Sequence, residues 1–194
     1  FAFGDTEAAA LGELKFGAGK KFSDFFYITI STGVGGSMVI NKKPFTKIAS
    51  LVGAFGHMVI KQKGKLCGCG RRGCIEAYAS GNAIDKILKK SNKKNISTKN
   101  MLIKYKDTKW SMKIISEATT FIAEGIVNVN SLTGIRNFII GGSIGLSHNF
   151  FREIIKNTKK ITKQNILIIK AGLKNDSEVF GCLAKSMTNK ITYD

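Results

Sequence analysis

The hydrophobic pattern of the chain divides into short β-type runs and longer helical stripes. Residues 6–16 are Ala-rich, with Asp5 or Thr6 available as a cap and Gly17 as a stop, so a helix is expected there. Residues 25–30 (Phe-Phe-Tyr-Ile-Thr-Ile) are aromatic and β-branched and read as a strand. A glycine-rich turn over residues 31–37 and a return strand over 38–40 complete a hairpin, with a second turn at 41–44. Residues 56–60 read as a short segment, 74–80 as one or two helical turns, and 82–90 as a helix. Residues 91–106 are Lys/Asn-rich and read as a polar surface excursion. Met112, Ile115, Ala118, Ile122, Ile126 and Val129 form a helical stripe across residues 110–129. Beyond it the pattern predicts a strand at 137–140 ending in Gly141-Gly142-Ser143, and a helix around 150–155. A strand at 166–169 and a last helix over 177–190, capped by Asp176 or Ser177, complete the chain. Strand, glycine turn, helix, strand and helix in this half imply parallel pairing, whereas the early hairpin is antiparallel. The expected fold class is therefore α/β with a mixed sheet.

Composition changes this picture little. The 194 residues suffice for one good-sized domain or two small ones, and 43% hydrophobic with 23% charged residues is ordinary for a globular chain. No apolar run approaches the ~20 residues of a membrane span, so no membrane partner is expected. The net charge of +18 is large, but 27 of the 31 basic residues are Lys, spread in short pairs such as Lys89-Lys90 and Lys159-Lys160. Phosphate and base readers lean on Arg forks, so solvated lysine faces with incidental anion affinity are the reading, and nucleic acid is not implied. A lone Cys182 far from the other three cysteines fits a reducing cytosol.

Those other cysteines carry the most specific chemistry. His57, Cys67, Cys69 and Cys74 follow the spacing His-x9-Cys-x-Cys-x4-Cys, with Gly64, Gly68, Gly70 and Gly73 among them. One imidazole and three thiolates can surround Zn²⁺ tetrahedrally with no open position, which makes a structural site. The glycines would let the backbone turn around the ion through positive φ or close approach. The second ring nitrogen of His57 could donate to a substrate hydroxyl. Glu76, two residues past Cys74, is either a solvated helix-start carboxylate or one held rigidly by the metal loop. Asp5 is either a helix cap or a general base at the mouth of a site. Thr32, Gly33, Gly35 and Gly36 at the hairpin tip, and Gly141 and Gly142 at a strand end, could turn backbone N–H groups toward phosphate. Tight turns want the same glycines.

Taken together, three stretches resemble the ROK family of sugar kinases and repressors. They are Gly4-Asp5-Thr6-Glu7-Ala8-Ala9-Ala10-Leu11-Gly12-Glu13, Ile30-Ser31-Thr32-Gly33-Val34-Gly35-Gly36, and Gly56-His57 through Cys67-x-Cys69-Gly70-x-x-Gly73-Cys74-x-Glu76. Residues 75–81 and 13–20 are similar to the N-acetylmannosamine kinase branch. The resemblance implies an actin-like ATPase (ribonuclease H-like) fold, mainly its C-terminal lobe. Residues 1–176 would form that lobe, with the knuckle at 57–76, and residues 177–194 a terminal helix packing toward an N-terminal lobe. It also implies ATP- and Mg²⁺-dependent phosphorylation of a hexose or N-acetylhexosamine, with Asp5 as base and His57 and Glu76 on the sugar. Thr32, Gly33, Gly35, Gly36, Gly141 and Gly142 would lie on the phosphate side. Zn²⁺ would be held by His57, Cys67, Cys69 and Cys74. A cytoplasmic homo-oligomer, dimer or tetramer, is further implied.

Gly4 stands where the family has Asn, and Ala54 where it has Glu. Each missing polar group is expected to cost about 1–3 kcal/mol of sugar binding. The family's first phosphate loop, Asp-x-Gly-Gly-Thr, does not occur in the sequence, and Phe1-Ala2-Phe3 opens the chain as if within a domain, so an N-terminally incomplete chain is expected. Two alternatives accompany the kinase. One is a sugar-responsive regulator, which would bind nucleic acid through a helix-turn-helix upstream. The other is a degenerate sugar-binding paralogue.

Overall fold

The computed structural model describes residues 4–45 and 55–188. Five strands form one sheet: β1 Phe25–Ile30, β2 Val34–Ile40, β3 Lys43–Pro44, β4 Asn137–Gly141 and β5 Leu167–Lys170, in the order β3-β2-β1-β4-β5. β1 pairs antiparallel with β2, and β2 with β3; β1–β4 and β4–β5 are parallel. The expected mixed sheet is thus present. The chain leaves β1 toward one edge and β4 toward the other, so the order switches between these two central strands. Such a switch opens a crevice at the carboxyl ends of the strands.

Period-two side chains send the sheet's residues into two cores. Phe26, Ile28, Ile30, Phe138 and Ile140 face helix α5 (Lys109–Thr133) and helix α6 (His148–Ile161), through Ile115, Ile122, Ile126, Phe150 and Ile154. Phe25, Tyr27, Val39 and Ile139 face the opposite layer, where helix α1 (Asp5–Lys15) supplies Ala9, Ala10, Leu11 and Leu14 and helix α7 (Ser177–Thr188) supplies Ala184. α1 and α7 meet almost backbone to backbone. A Cβ at Gly181 would overlap the Ala8 carbonyl, and one at Gly12 the Ser177 carbonyl. The far end of α1 is locked by Glu13, which is fully buried. Its carboxylate accepts from the backbone N–H groups of Ala18 (2.7 Å), Gly172 and Leu173 (2.9 Å each) and from Ser177 Oγ (2.8 Å). Four donors offset the cost of burying the charge.

Three further elements build the site's side of the molecule: α2 Glu76–Ala79, α3 Gly81–Lys90 and α4 Thr98–Lys104. α4 corrects the expectation of a polar excursion over 91–106. Met101 is fully buried, and Asp85 accepts from the Thr98 N–H (2.8 Å) and hydroxyl (2.7 Å), tying α4 to α3. The Lys/Asn composition hides an apolar anchor, Met101, with the partly buried Ile96 and Leu102 packed beside it against the core. The hairpin turn is also shorter than expected. β2 begins at Val34, so Gly35 and Gly36 lie in the strand, paired with Thr29 and Ile28. Their reason is proximity: a Cβ at Gly35 would stand 2.6 Å from Thr6 Cγ2, and one at Gly36 2.5 Å from the Phe26 ring. α1 starts at Asp5 behind Gly4, with no side-chain cap at that end. Ser177, read as a cap for α7, gives its hydroxyl to Glu13. Ala54, Phe1, Ala2 and Phe3 lie outside the described residues, as does the chain after Thr188.

Candidate functional site

The knuckle is built from a short 3₁₀ segment, Phe55–His57, and a loop that returns on itself through the antiparallel bridges Val59–Cys74 and Leu66–Arg72. Gly70 (φ +84°) and Gly73 (φ +85°) turn the chain in the left-handed region. At Gly73 a Cβ would also overlap the Lys61 carbonyl. Gly64 is needed for close approach to Tyr78 and Lys61, while Gly68 has neither a positive φ nor a close neighbour. Of the four glycines read from the spacing, three have a structural reason.

One ligand atom from each of His57, Cys67, Cys69 and Cys74 lies within 4.8 Å of the others. His57 Nδ1 is 3.6 Å from Cys67 Sγ, and Cys69 Sγ is 3.7 Å from Cys74 Sγ. A tetrahedron with zinc–sulfur bonds of about 2.3 Å has edges of about 3.8 Å. The spacing therefore fits a tetrahedral zinc set, and all four cysteines are free. Hydrogen bonding to the Arg71 backbone holds the Cys69 thiol low, at about 7, against the effect of burial. Burial drives Cys74 up to about 12, helped by the neighbouring Cys69 and Cys67 sulfurs. A divalent cation among them would hold all three as thiolates. Arg71 Nη2 donates to the His57 carbonyl, closing the loop from outside.

Glu76 opens α2 directly after the knuckle. It is half-buried, and its Oε2 accepts the Val34 N–H at 3.0 Å. Its Oε1 lies 4.0 Å from Cys67 Sγ. This excludes the solvated-carboxylate reading and joins the knuckle to the start of β2. A Cβ at Gly33 would stand 2.8 Å from Glu76 Oε2. Asp5 is exposed at the first turn of α1, and the next residue, Thr6, rests against Gly35 of β2. The Asp5 end of α1, the Gly33–Gly35 stretch and Glu76 therefore meet along the beginning of β2.

The two glycine loops adjoin at the carboxyl ends of β1 and β4. Ser31 Oγ and Ser143 Oγ are 3.2 Å apart, and the Ile144 and Gly145 N–H groups donate to the Ile30 carbonyl at 3.0 and 3.1 Å. Gly142 takes φ +79° with the Ile30 backbone packed where a Cβ would be. Gly141 is buried under the Tyr27 ring. Thr32 is exposed at the tip, its carbonyl accepting from Asn82 N–H. A cavity of about 260 Å³ lies here, bordered by Thr29, Ser31, Gly142, Ser143 and Lys174. Gly36, by contrast, is buried in β2 against Phe26 and Phe55 and does not border this cavity. Sequence reasoning does not single out Ser31, Ser143 or Lys174. Ser31 and Ser143 stand within the glycine motifs, but Lys174 sits among many lysines with no motif to mark it.

The sequence profile of the ROK family matches residues 1–187. The chain belongs to the ROK family. It is 33% identical over 179 residues to the N-acetylmannosamine kinase of Escherichia coli O6:H1, covering 91% of this chain and 61% of that relative. The ROK hexokinase of Thermus thermophilus superposes with a TM-score of 0.88 at 22% identity, covering 98% of this chain and 66% of that structure. A ROK family glucokinase from Streptomyces griseus, solved with glucose and AMPPNP, superposes at 0.82 with 26% identity, covering 94% and 66%. This ROK chain thus has the actin-like ATPase fold and spans about three fifths of the length of the curated relative.

Proposed function

We propose that the protein phosphorylates a hexose or N-acetylhexosamine with ATP, and that N-acetylmannosamine is the first sugar to test. The observation that carries this reading is the convergence of the Asp5 end of α1, the Gly33–Gly35 stretch and knuckle-bound Glu76 along one strand beginning, beside paired glycine loops at the switch of the sheet. Likeness to N-acetylmannosamine kinases supports the sugar class, and the likeness to the glucokinase solved with glucose and AMPPNP supports the nucleotide.

In this reading Glu76 and His57 accept and donate hydrogen bonds to sugar hydroxyls. Glu76 is preoriented because one oxygen is already held by Val34. Asp5 takes the proton of the attacking hydroxyl as its oxygen forms a bond to the γ-phosphorus, and the bond to the leaving ADP oxygen breaks. Thr32, Gly33 and the Gly141–Gly142 loop present donors to the phosphates. Mg²⁺ enters with ATP and supplies charge neutralisation on its phosphate oxygens. Zinc at His57, Cys67, Cys69 and Cys74 has no place in the chemical step; it fixes the wall that carries Glu76. Residues 1–176 are proposed as the family's C-terminal lobe, and a cytoplasmic homo-oligomer is proposed for the whole protein.

The test is ADP release by the full-length protein with N-acetylmannosamine, N-acetylglucosamine or glucose. Release with at least one sugar is expected. No release with any of them, from protein carrying its zinc, would overturn the kinase reading and leave a sugar-binding or regulatory paralogue.

A further inference from the structure

The three knuckle sulfurs are not equivalent. Cys67 and Cys74 are buried, whereas Cys69 is exposed. They also differ in their neighbours. Cys67 Sγ lies 3.6 Å from His57 Nδ1 and 4.0 Å from Glu76 Oε1, toward the wall of the site. Cys69 Sγ lies 3.7 Å from Cys74 Sγ. One solvent-accessible sulfur is thus in contact with one shielded sulfur.

The surroundings of Cys69 are electropositive. Residues 61–75 contain Lys61, Lys63, Lys65, Arg71 and Arg72 and no acid. The two arginines are exposed, and their side chains are tied to the carbonyls of His57 and Gly64. An accessible thiolate in a cationic setting is the kind that oxidants reach first. Chain geometry then selects its partner. Cys67 and Cys69 are separated by one residue, too short a span for an unstrained disulfide. Cys69 and Cys74 are separated by four residues, two of them the left-handed Gly70 and Gly73. Gly68 and Gly70, on either side of Cys69, have nothing within 4 Å of where a Cβ would stand. The segment that carries Cys69 is therefore loosely packed and free to bring its sulfur onto Cys74, which gives Gly68 a reason that neither turn geometry nor close approach supplies.

We propose that Cys69 and Cys74 form a peroxide-sensitive modification site, and that their oxidation to a disulfide expels the zinc. The proposal rests on zinc being held by this ligand set and does not depend on the kinase reading. The Cys69 thiolate attacks one oxygen of hydrogen peroxide; the S–O bond forms, the O–O bond breaks and hydroxide leaves. The Cys74 thiolate then attacks the Cys69 sulfur; the S–S bond forms, the S–O bond breaks and a second hydroxide leaves. The two thiolates have given up two electrons, the peroxide has taken them, and both hydroxides are protonated from the buffer. Zinc keeps only His57 and Cys67 and passes into solution. Cys74 stands two residues before Glu76, so loss of the metal loosens the start of α2 and the Glu76–Val34 bond. A thiol reductant reverses the change, as for other transient disulfides of reducing compartments.

The experiment treats zinc-loaded protein with hydrogen peroxide, follows zinc release with a chromogenic chelator, and maps thiols and disulfides by mass spectrometry after alkylation. The samples are wild type, Cys69→Asp and Cys182→Ser. Wild type and Cys182→Ser are expected to lose more than half of about one zinc per chain as the Cys69–Cys74 disulfide appears, and dithiothreitol with added zinc restores the starting state. Cys69→Asp keeps a ligand oxygen but cannot form the bond, and its zinc is expected to leave about tenfold more slowly or less. Where Cys69→Asp holds no zinc, the disulfide map of the wild type decides alone. Zinc release without that disulfide, a different pair in its place, or zinc and thiols retained at a peroxide dose that oxidises exposed Cys182 would overturn the proposal. Untreated protein unable to hold zinc would overturn the metal reading, and the proposal with it.

Discussion

At the scale of single residues, several positions act by having no side chain. Gly73 combines a left-handed backbone with the Lys61 carbonyl packed where a Cβ would be. Gly73→Ala is expected to open the return of the knuckle loop and reduce bound zinc, measured by metal analysis, from about one ion per chain to well below half. Full zinc content in this variant would show that the loop tolerates the shift. Gly4 is the opposite case: its backbone is extended (φ −70°, ψ 141°), and a Cβ there would meet nothing within 4 Å. An Asn there fits, adds a helix cap, and restores the polar group that the family resemblance expects beside Asp5. Gly4→Asn is expected to lower the sugar KM by about fivefold or more, the equivalent of one recovered hydrogen bond of at least 1 kcal/mol. Initial-rate kinetics would show it; an unchanged KM would mean that residue 4 does not reach the sugar. The spacing singles out the four candidate metal ligands, and the fold brings them together. The positive-φ glycines of the knuckle can be anticipated from the spacing, but the need for Gly35 and Gly36 in a strand cannot, because what excludes their side chains is Thr6 and Phe26, which are distant in sequence.

At the scale of elements, the helix that carries Asp5 is held from behind. α1 is fastened by backbone contact with α7 through Gly12 and Gly181, and by Glu13 at its far end. A side chain at Gly181 must push the helices apart. Gly181→Ala is therefore expected to lower the melting temperature by roughly 5–10 °C, as for about 2–3 kcal/mol lost in a chain of this length. An unchanged melting temperature in a calorimetric scan would show that α7 can shift along α1 without cost. Long, strongly patterned elements are legible in the sequence: α5 lies over its apolar stripe, and β1 and β4 follow their β-branched runs. α4 is not legible, because buried Met101 and partly buried Leu102 are adjacent in a Lys/Asn stretch and make no period. The role of Glu13 is hidden for a different reason. Its four donors come from Ala18, the loop after β5 and α7, and no local pattern announces a carboxylate that gathers distant N–H groups.

At the scale of the whole molecule, the sheet joins two kinds of structure. Its parallel centre supplies the glycine loops at the strand ends, and its hairpin edge meets the knuckle through Glu76 and Val34. The knuckle motif points to metal by its spacing, and the fold brings the four candidate ligands together beside Glu76, so a metal held there would brace the carboxylate beside β2. The charge of +18 reads in the sequence as dispersed solvation, yet three of those lysines border one cavity. The central claim is that Asp5, carried by α1 to the beginning of β2, is the base of a sugar phosphotransferase. The most direct measurement compares sugar-dependent ADP release by the wild-type protein and Asp5→Asn, with zinc determined on the same samples. Loss of turnover by about 100-fold or more at unchanged zinc content is the predicted result; sugar-dependent turnover that survives in Asp5→Asn would contradict it.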